Sequence, residues 1–363
     1  MGAVERLQRR NQDYLLVETI KQVGVTNYSL LARLTGLNPE TVRYKVNKHL
    51  SKLGLGLLLN VNYAELGLSV GMLSVKGNSA PARSWLDSMN YLVFVGKVMG
   101  ANKYVCLYAI PFRFKKKYAE TIEDLKRQGL AEEYESTDIY WLRYPPFRPE
   151  LYDFDTSNWK VEWDRVLTPS KEAGASCVSV NRESKVDYID LKILKAMQED
   201  PTVSLAKTAK DMNVNPRTVR YHYSEHVLKG KFILSNNMRW VKPLQEGRHG
   251  ELMEVIVSFR TLESEEAEKV RRLFNSLPFT WLEAGTEDKS YFAFMDIPIA
   301  AFHQTVAYVE AQLPTLQNKY ELIMLDPNKS YPLNLPAEMY EKERGWRLTN
   351  YRENFATTPE ETR

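Results

Sequence analysis

The chain has 363 residues, 44% apolar and 26% charged, with a formal net charge of +3. That length exceeds one ordinary core and leaves room for two to four small ones, and the balance excludes a disordered chain. Two cysteines, Cys106 and Cys177, fit no metal or disulfide spacing, and the most apolar stretch, from Leu53, is too short to span a bilayer, so a metal centre, a disulfide scaffold and a membrane protein are set aside and the cytoplasm is expected.

From Asp13 to about Leu57, apolar residues recur at helical spacing: Leu15, Leu16, Thr19 and Ile20, then Leu30, Leu31 and Leu34, then Val42, Val46 and Leu50. Three short helices are predicted. Asn38 precedes Pro39, which reads as an N-cap followed by proline at the first helical position. Beyond these helices the period becomes strand-like. The pattern predicts strand 71–76, helix 81–89, strand 91–98, strand 104–110, helix 114–128 and strand 133–141, a βαββαβ order. A Pro- and aromatic-containing extension follows, and then a Ser/Ala/Gly-containing linker. Asp190 to Leu234 repeats the three-helix pattern, with Asn215-Pro216 as its cap, and a second βαββαβ run and a second extension complete the chain.

The repetition is explicit. Residues 37–57 align without gaps with residues 214–234 at an offset of 177, with nine of twenty-one positions identical, including Asn38/Asn215, Thr41/Thr218, Arg43/Arg220, Tyr44/Tyr221 and His49/His226. The match resumes at an offset of 187, pairing Tyr144-Pro145 with Tyr331-Pro332 and Trp159 with Trp346. The fold class is α+β, with two helix-turn-helix modules (1–60 and 187–240) alternating with two ferredoxin-like sandwiches and their extensions (61–166 and 241–353); 167–186 is the linker and 354–363 a tail.

A helix-turn-helix inserts its last helix into the major groove, so the outward residues of that helix are the candidate DNA contacts. With Val42, Val46 and Leu50 inward, these are Thr41, Arg43, Tyr44 and Lys45 in the first module; in the second, with Val219, Tyr223 and Val227 inward, they are Arg217, Thr218, Arg220, Tyr221 and His222. Arginine offers a planar fork to guanine or phosphate, which singles out Arg43, Arg217 and Arg220. Residues 1–60 carry nine Lys/Arg against four Asp/Glu, and residues 187–242 ten against six, so both modules are locally basic. His49 and His226 lie near the buried stripe and read as packing residues.

These segments, above all 187–233 and 37–68, resemble the Lrp/AsnC (feast/famine) family of transcription regulators. The resemblance implies a sequence-specific regulator of double-stranded DNA with no enzymatic activity, and a βαββαβ sensor domain that binds an effector such as an amino acid between subunits. The family's G-x-x-D turn maps to Gly285 and Asp288 in the second unit and to Gly100 and Asn102 in the first, where Asn102 replaces the acid. Family members are single units that dimerise; two units in one chain imply an intrachain pseudo-dimer, with a further homodimer allowed. No cofactor is expected. The alternatives are an enzyme resembling the siroheme decarboxylases, which share this fold and would need His and Arg groups to hold a tetrapyrrole's carboxylates, and a sensor or adaptor that does not bind DNA. Of the five histidines, His249 follows Arg248 in the second unit's insertion.

Overall fold

The computed structural model describes residues 3–77, 85–86, 89–170, 174–179, 184–240 and 252–348. The first module comprises α1 (Ala3–Val23), α2 (Tyr28–Thr35) and α3 (Pro39–Tyr44), the last continuing as a π turn over Lys45–His49. Asn38 accepts from the Glu40 amide at 2.8 Å with Pro39 at the first position, so the helix starts where the capping pattern places it. Leu16, Val17, Ile20, Leu31, Val42, Val46 and Leu50 form its core; Leu15 and Leu34, expected on the inner faces, are exposed. Strand β1 (Leu55–Val61) leads out of the module.

The first sandwich contains β2 (Leu68–Lys76), β3 (Leu92–Lys97), β4 (Lys103–Pro111), α4 (Lys115–Arg127) and β5 (Glu133–Asp138), in sheet order β3-β4-β2-β5, all antiparallel. Of the helix expected over 81–89, only Trp85–Leu86 lie among the described helical residues, and both are buried. The second module repeats the first as α5 (Tyr188–Glu199), α6 (Leu205–Asp211) and α7 (Pro216–Tyr221), again running into a π segment, His222–Leu228. After β10 (Ile233–Trp240), the second sandwich contains β11 (Leu252–Phe259), α8 (Ser264–Ser276), β12 (Thr280–Gly285), β13 (Tyr291–Pro298), α9 (Ile299–Gln312) and β14 (Tyr320–Leu325), ordered β14-β11-β13-β12. The βαββαβ order is complete in the second sandwich, and the first repeats it apart from the 81–89 helix, most of which lies outside the described residues.

The two units clasp each other. β1 and β10 pair antiparallel, and Leu59 lies opposite Asn236, its own equivalent at the offset of 177. A pseudo-twofold axis therefore passes between them, as in an isologous dimer. The strand expected to run from 133 to 141 instead breaks after Asp138. Its continuation, β6 (Trp141–Tyr144), crosses to the other unit and adds to the β12 edge. In return, Tyr331–Pro332 of the second unit adds to the β3 edge of the first. In the first extension β7 (Tyr152–Asp153) pairs with β8 (Asn158–Trp159), and residues 175–178, inside the expected linker, form a further strand, β9, that pairs with β6. Crossing over covers a sheet edge that would otherwise expose unpaired amides. The extensions cross as well. Trp159 packs edge-on against Phe279 of the second sandwich at 5.6 Å, while Trp346 packs against Tyr91 of the first at 5.9 Å and its indole N–H donates to the Leu66 carbonyl at 3.1 Å.

Candidate nucleic-acid interface and the charge clusters behind it

Both third helices present their first turns to solvent. Arg43, Tyr44, Arg217, Arg220 and Tyr221 are exposed, and Thr41 and Thr218 half-buried. The two faces differ in electrostatics. Arg43 forms an ion pair with Glu40 at 3.0 Å, whereas Arg217 stands where Glu40 does and neither Arg217 nor Arg220 has an ion pair among the described residues. Two guanidinium groups are thus free on α7, against one half-neutralised on α3. Exposed Lys207 and Lys210 on α6 extend the basic surface of the second module.

Lys45 and His222, expected outward, face inward. An inward stripe on a helix is wide enough to include both i+3 and i+4, so Lys45 shares the face of Val42 and Val46, and His222 that of Val219 and Tyr223. Each meets an aspartate of the first helix. Lys45 Nζ lies 2.6 Å from Asp13, both side chains under a tenth exposed, and His49 Nε2 is 3.1 Å from the other carboxylate oxygen. In the second module His222 Nδ1 is 2.9 Å from Asp190 and His226 Nδ1 is 3.3 Å from it. Asp13/Asp190, Lys45/His222 and His49/His226 are all related by the offset of 177. The His49 and His226 positions therefore hydrogen-bond the aspartate as well as packing. The sequence held a signal for this: the aspartates match at the same offset as the recognition helices, and His222 and His226 are four apart on one helical face.

The substitution of histidine for lysine changes the carboxyl group. Burial would raise Asp13, but hydrogen bonds from His49 and Lys45 outweigh it and hold its pKa below the ordinary 3.8. Burial dominates at Asp190, which is raised despite the hydrogen bonds from the Asp187 amide and His222. A depressed carboxyl contributes stability that is present above its unfolded pKa and disappears as pH falls through the folded value. Lys45→Ala should therefore cost about 1.5–3 kcal/mol at neutral pH, the range for hydrogen bonds to charged groups, with the deficit shrinking below the ordinary carboxylate range. Urea midpoints of both proteins at pH 7 and near pH 3 test this; a deficit independent of pH would refute it.

The four effector candidates are split. Gly100 and Asn102, in the β3–β4 turn, line a cleft of about 650 Å³ between the units, together with Lys97, Met253, Asp326 and Lys329. Gly285 and Asp288 sit in the β12–β13 turn, where Asp288 accepts from the Ser290 amide at 3.2 Å and from the Thr286 hydroxyl. Its pKa is lowered, first by the Thr286 hydrogen bond. A second space, about 120 Å³, lies between the sandwiches and is lined by Tyr144, Gln198, Arg239 and Trp281 among others. Arg248 and His249 lie outside the described residues.

Residues 186–225 match the model of the winged helix-turn-helix DNA-binding family, which covers α5, α6 and most of the α7 segment. Among solved structures, the siroheme decarboxylase NirDL is similar at 10% identity over 89% of this chain and 93% of that one, with a TM-score of 0.56. The same enzyme in co-complex with an iron-uroporphyrin III analogue matches at 11% identity over 86% and 90%, with a TM-score of 0.54. E. coli AsnC matches at 17% identity over 36% of this chain and 90% of that one, with a TM-score of 0.27. No curated protein sequence matches the chain. The protein has an α+β fold with a winged helix-turn-helix region in its second module and antiparallel sandwiches beside it. Its architecture is internally duplicated and shares its fold with NirDL over most of the chain, with the second module of the DNA-binding type. Among the described residues no helix is long and apolar enough to cross a membrane.

Proposed function

We propose that the chain is a cytoplasmic, sequence-specific DNA-binding transcription regulator in which the second module is the stronger reader. The observation that carries this is the exposed start of α7, where Arg217 and Arg220 have no ion pair among the described residues, on a module matching a DNA-binding family. Free arginines at a groove-entering helix can reach guanine or phosphate, whereas Arg43 must first leave Glu40. Thr41, Tyr44, Thr218 and Tyr221 flank these contacts, and the pseudo-twofold sets two unlike half-sites. Selection of bound duplexes from a random pool tests the reading. Arg217→Ala and Arg220→Ala should each cost about 1–3 kcal/mol and relax one half of the enriched motif, with Arg43→Ala acting less strongly on the other. No enrichment, or weak binding unchanged by these substitutions, would favour the adaptor or the enzyme.

The cleft beside Gly100 and Asn102 is the effector site of this reading. Lys97, Lys329 and Asp326 supply both signs of charge, as a zwitterion such as an amino acid requires. Calorimetric titration with amino acids, repeated on Asn102→Arg, tests it; heats unaffected by the substitution would place any effector elsewhere. An enzymatic reading draws support from the fold shared with NirDL over most of the chain. A tetrapyrrole absorbance shift on mixing with the protein would favour the enzyme.

A further inference from the structure

We propose that Asp187, Asp190, His222 and His226 form a divalent transition-metal site in the second helix-turn-helix module, with Zn²⁺ the cation the donors fit. The inference is independent of DNA reading, because the site lies behind the exposed face of α7 rather than on it.

Four donor atoms, one from each side chain, lie within 4.8 Å of one another. Two imidazole nitrogens with two carboxylate oxygens are a donor set suited to zinc, while the nitrogens disfavour Mg²⁺ and Ca²⁺. Geometry agrees. Zinc–ligand distances of 2.0–2.2 Å imply tetrahedral edges of about 3.3–3.6 Å. The nitrogen–oxygen distances here are 3.2 and 3.7 Å from His222 and His226 to the shared Asp187 Oδ2, 2.9 Å from His222 to Asp190 Oδ1 and 3.3 Å from His226 to Asp190 Oδ2. The carboxylates are also held in place. Asp187 caps α5 with its other oxygen, accepting from the Ile189 and Asp190 amides at 2.8 and 3.0 Å, and Asp190 accepts from the Asp187 amide at 3.1 Å. Such outer contacts preorganise metal ligands. Asp190 is fully buried, whereas Asp187 is 43% and His226 34% exposed, which leaves one open side for entry.

The first module supplies the second observation. There the same pocket contains a permanent cation of the chain's own: Lys45 takes the His222 position and places its ammonium 2.6 Å from Asp13. Arg10 stands at the sequence position of Asp187, so no second carboxylate is offered. The second module has exchanged that lysine for histidine and that arginine for aspartate, keeping a buried carboxylate while removing its fixed positive charge. A bound cation satisfies the carboxylates and both nitrogens together, and ties the first helix of the module to the recognition helix.

The test is titration of the metal-stripped full chain with Co²⁺, followed by competition with Zn²⁺, without DNA. One equivalent with a tetrahedral cobalt spectrum, displaced by Zn²⁺, is expected. Asp187→Asn retains an N-cap residue, and His222→Lys reproduces the lysine arrangement of the first module, so both should fold; each should weaken binding by more than about tenfold. Lys45→Ala should leave it unchanged. Absence of stoichiometric binding by the folded wild-type chain would overturn the site, as would binding that survives both substitutions. Neither result would bear on duplex selection by Arg217 and Arg220.

Discussion

Replacing Glu283 by alanine should destabilise the protein by about 3–5 kcal/mol, the cost of removing one partner of a buried ion pair. Glu283 on β12 lies directly opposite Arg143 on β6 across the ladder that joins the two units. The Glu283 side chain has no exposure and that of Arg143 only 10%. Glu283 also accepts a 2.6 Å hydrogen bond from the Tyr291 hydroxyl, so its removal takes the buried carboxylate from Arg143 and leaves a buried phenol without this acceptor. Burial of Arg143 opposes its charge, yet Glu283 more than offsets this and the guanidinium pKa is raised. The expected loss includes the docking of β6, which meets the second sandwich along this edge and through Trp141 packed on Tyr291. Urea unfolding gives the magnitude. A double replacement, Arg143→Met with Glu283→Met, should recover most of the loss, since an apolar pair of similar volume carries no desolvation penalty. A single-mutant effect below about 1 kcal/mol would show that solvent reaches the pair.

That contact could not have been read from the chain. Tyr144-Pro145 and Tyr331-Pro332 were visible as repeats, and an extension after each sandwich was visible with them. Which sheet each strand joins depends on the pseudo-twofold set by β1 and β10, and no local period encodes it. The modules were legible because capping and helical spacing are local: Asn38 and Asn215 cap where Pro39 and Pro216 require. Both sandwiches were legible for the same reason, down to the Gly100 and Gly285 turns. Lys45 and His222 were misplaced because a charged side chain three residues after Val42 or Val219 looks like surface until the aspartate that neutralises it is brought from 32 residues away. The stretch expected as a linker became β9 because the crossing β6 offered it an unpaired edge.

The second large effect is one of pH. Arg239, at the end of β10 where the second module joins its sandwich, pairs with Asp296 at 2.8 Å and lies 4.3 Å from the centre of the Trp281 ring. Glu254 is the second carboxylate at this site, 3.4 Å from Arg239. One guanidinium serves two acids, and Asp296 has the better geometry. Burial, then the neighbouring Asp296 charge, pushes Glu254 up from 4.5 to about 7. Its Oε2 has no hydrogen-bond partner among the described residues, which removes the usual opposition to protonation. The folded chain therefore keeps a proton that the unfolded chain releases first. For such a raised group the stability is complete below pH 4.5 and is lost as pH rises to about 7, by about 3 kcal/mol for a shift of this size. Glu254→Gln removes the titration while keeping the shape. Its urea midpoint relative to wild type should climb between pH 4 and pH 8 by the equivalent of that loss, and two parallel curves would mean that Glu254 ionises as freely in the folded chain as in the unfolded one.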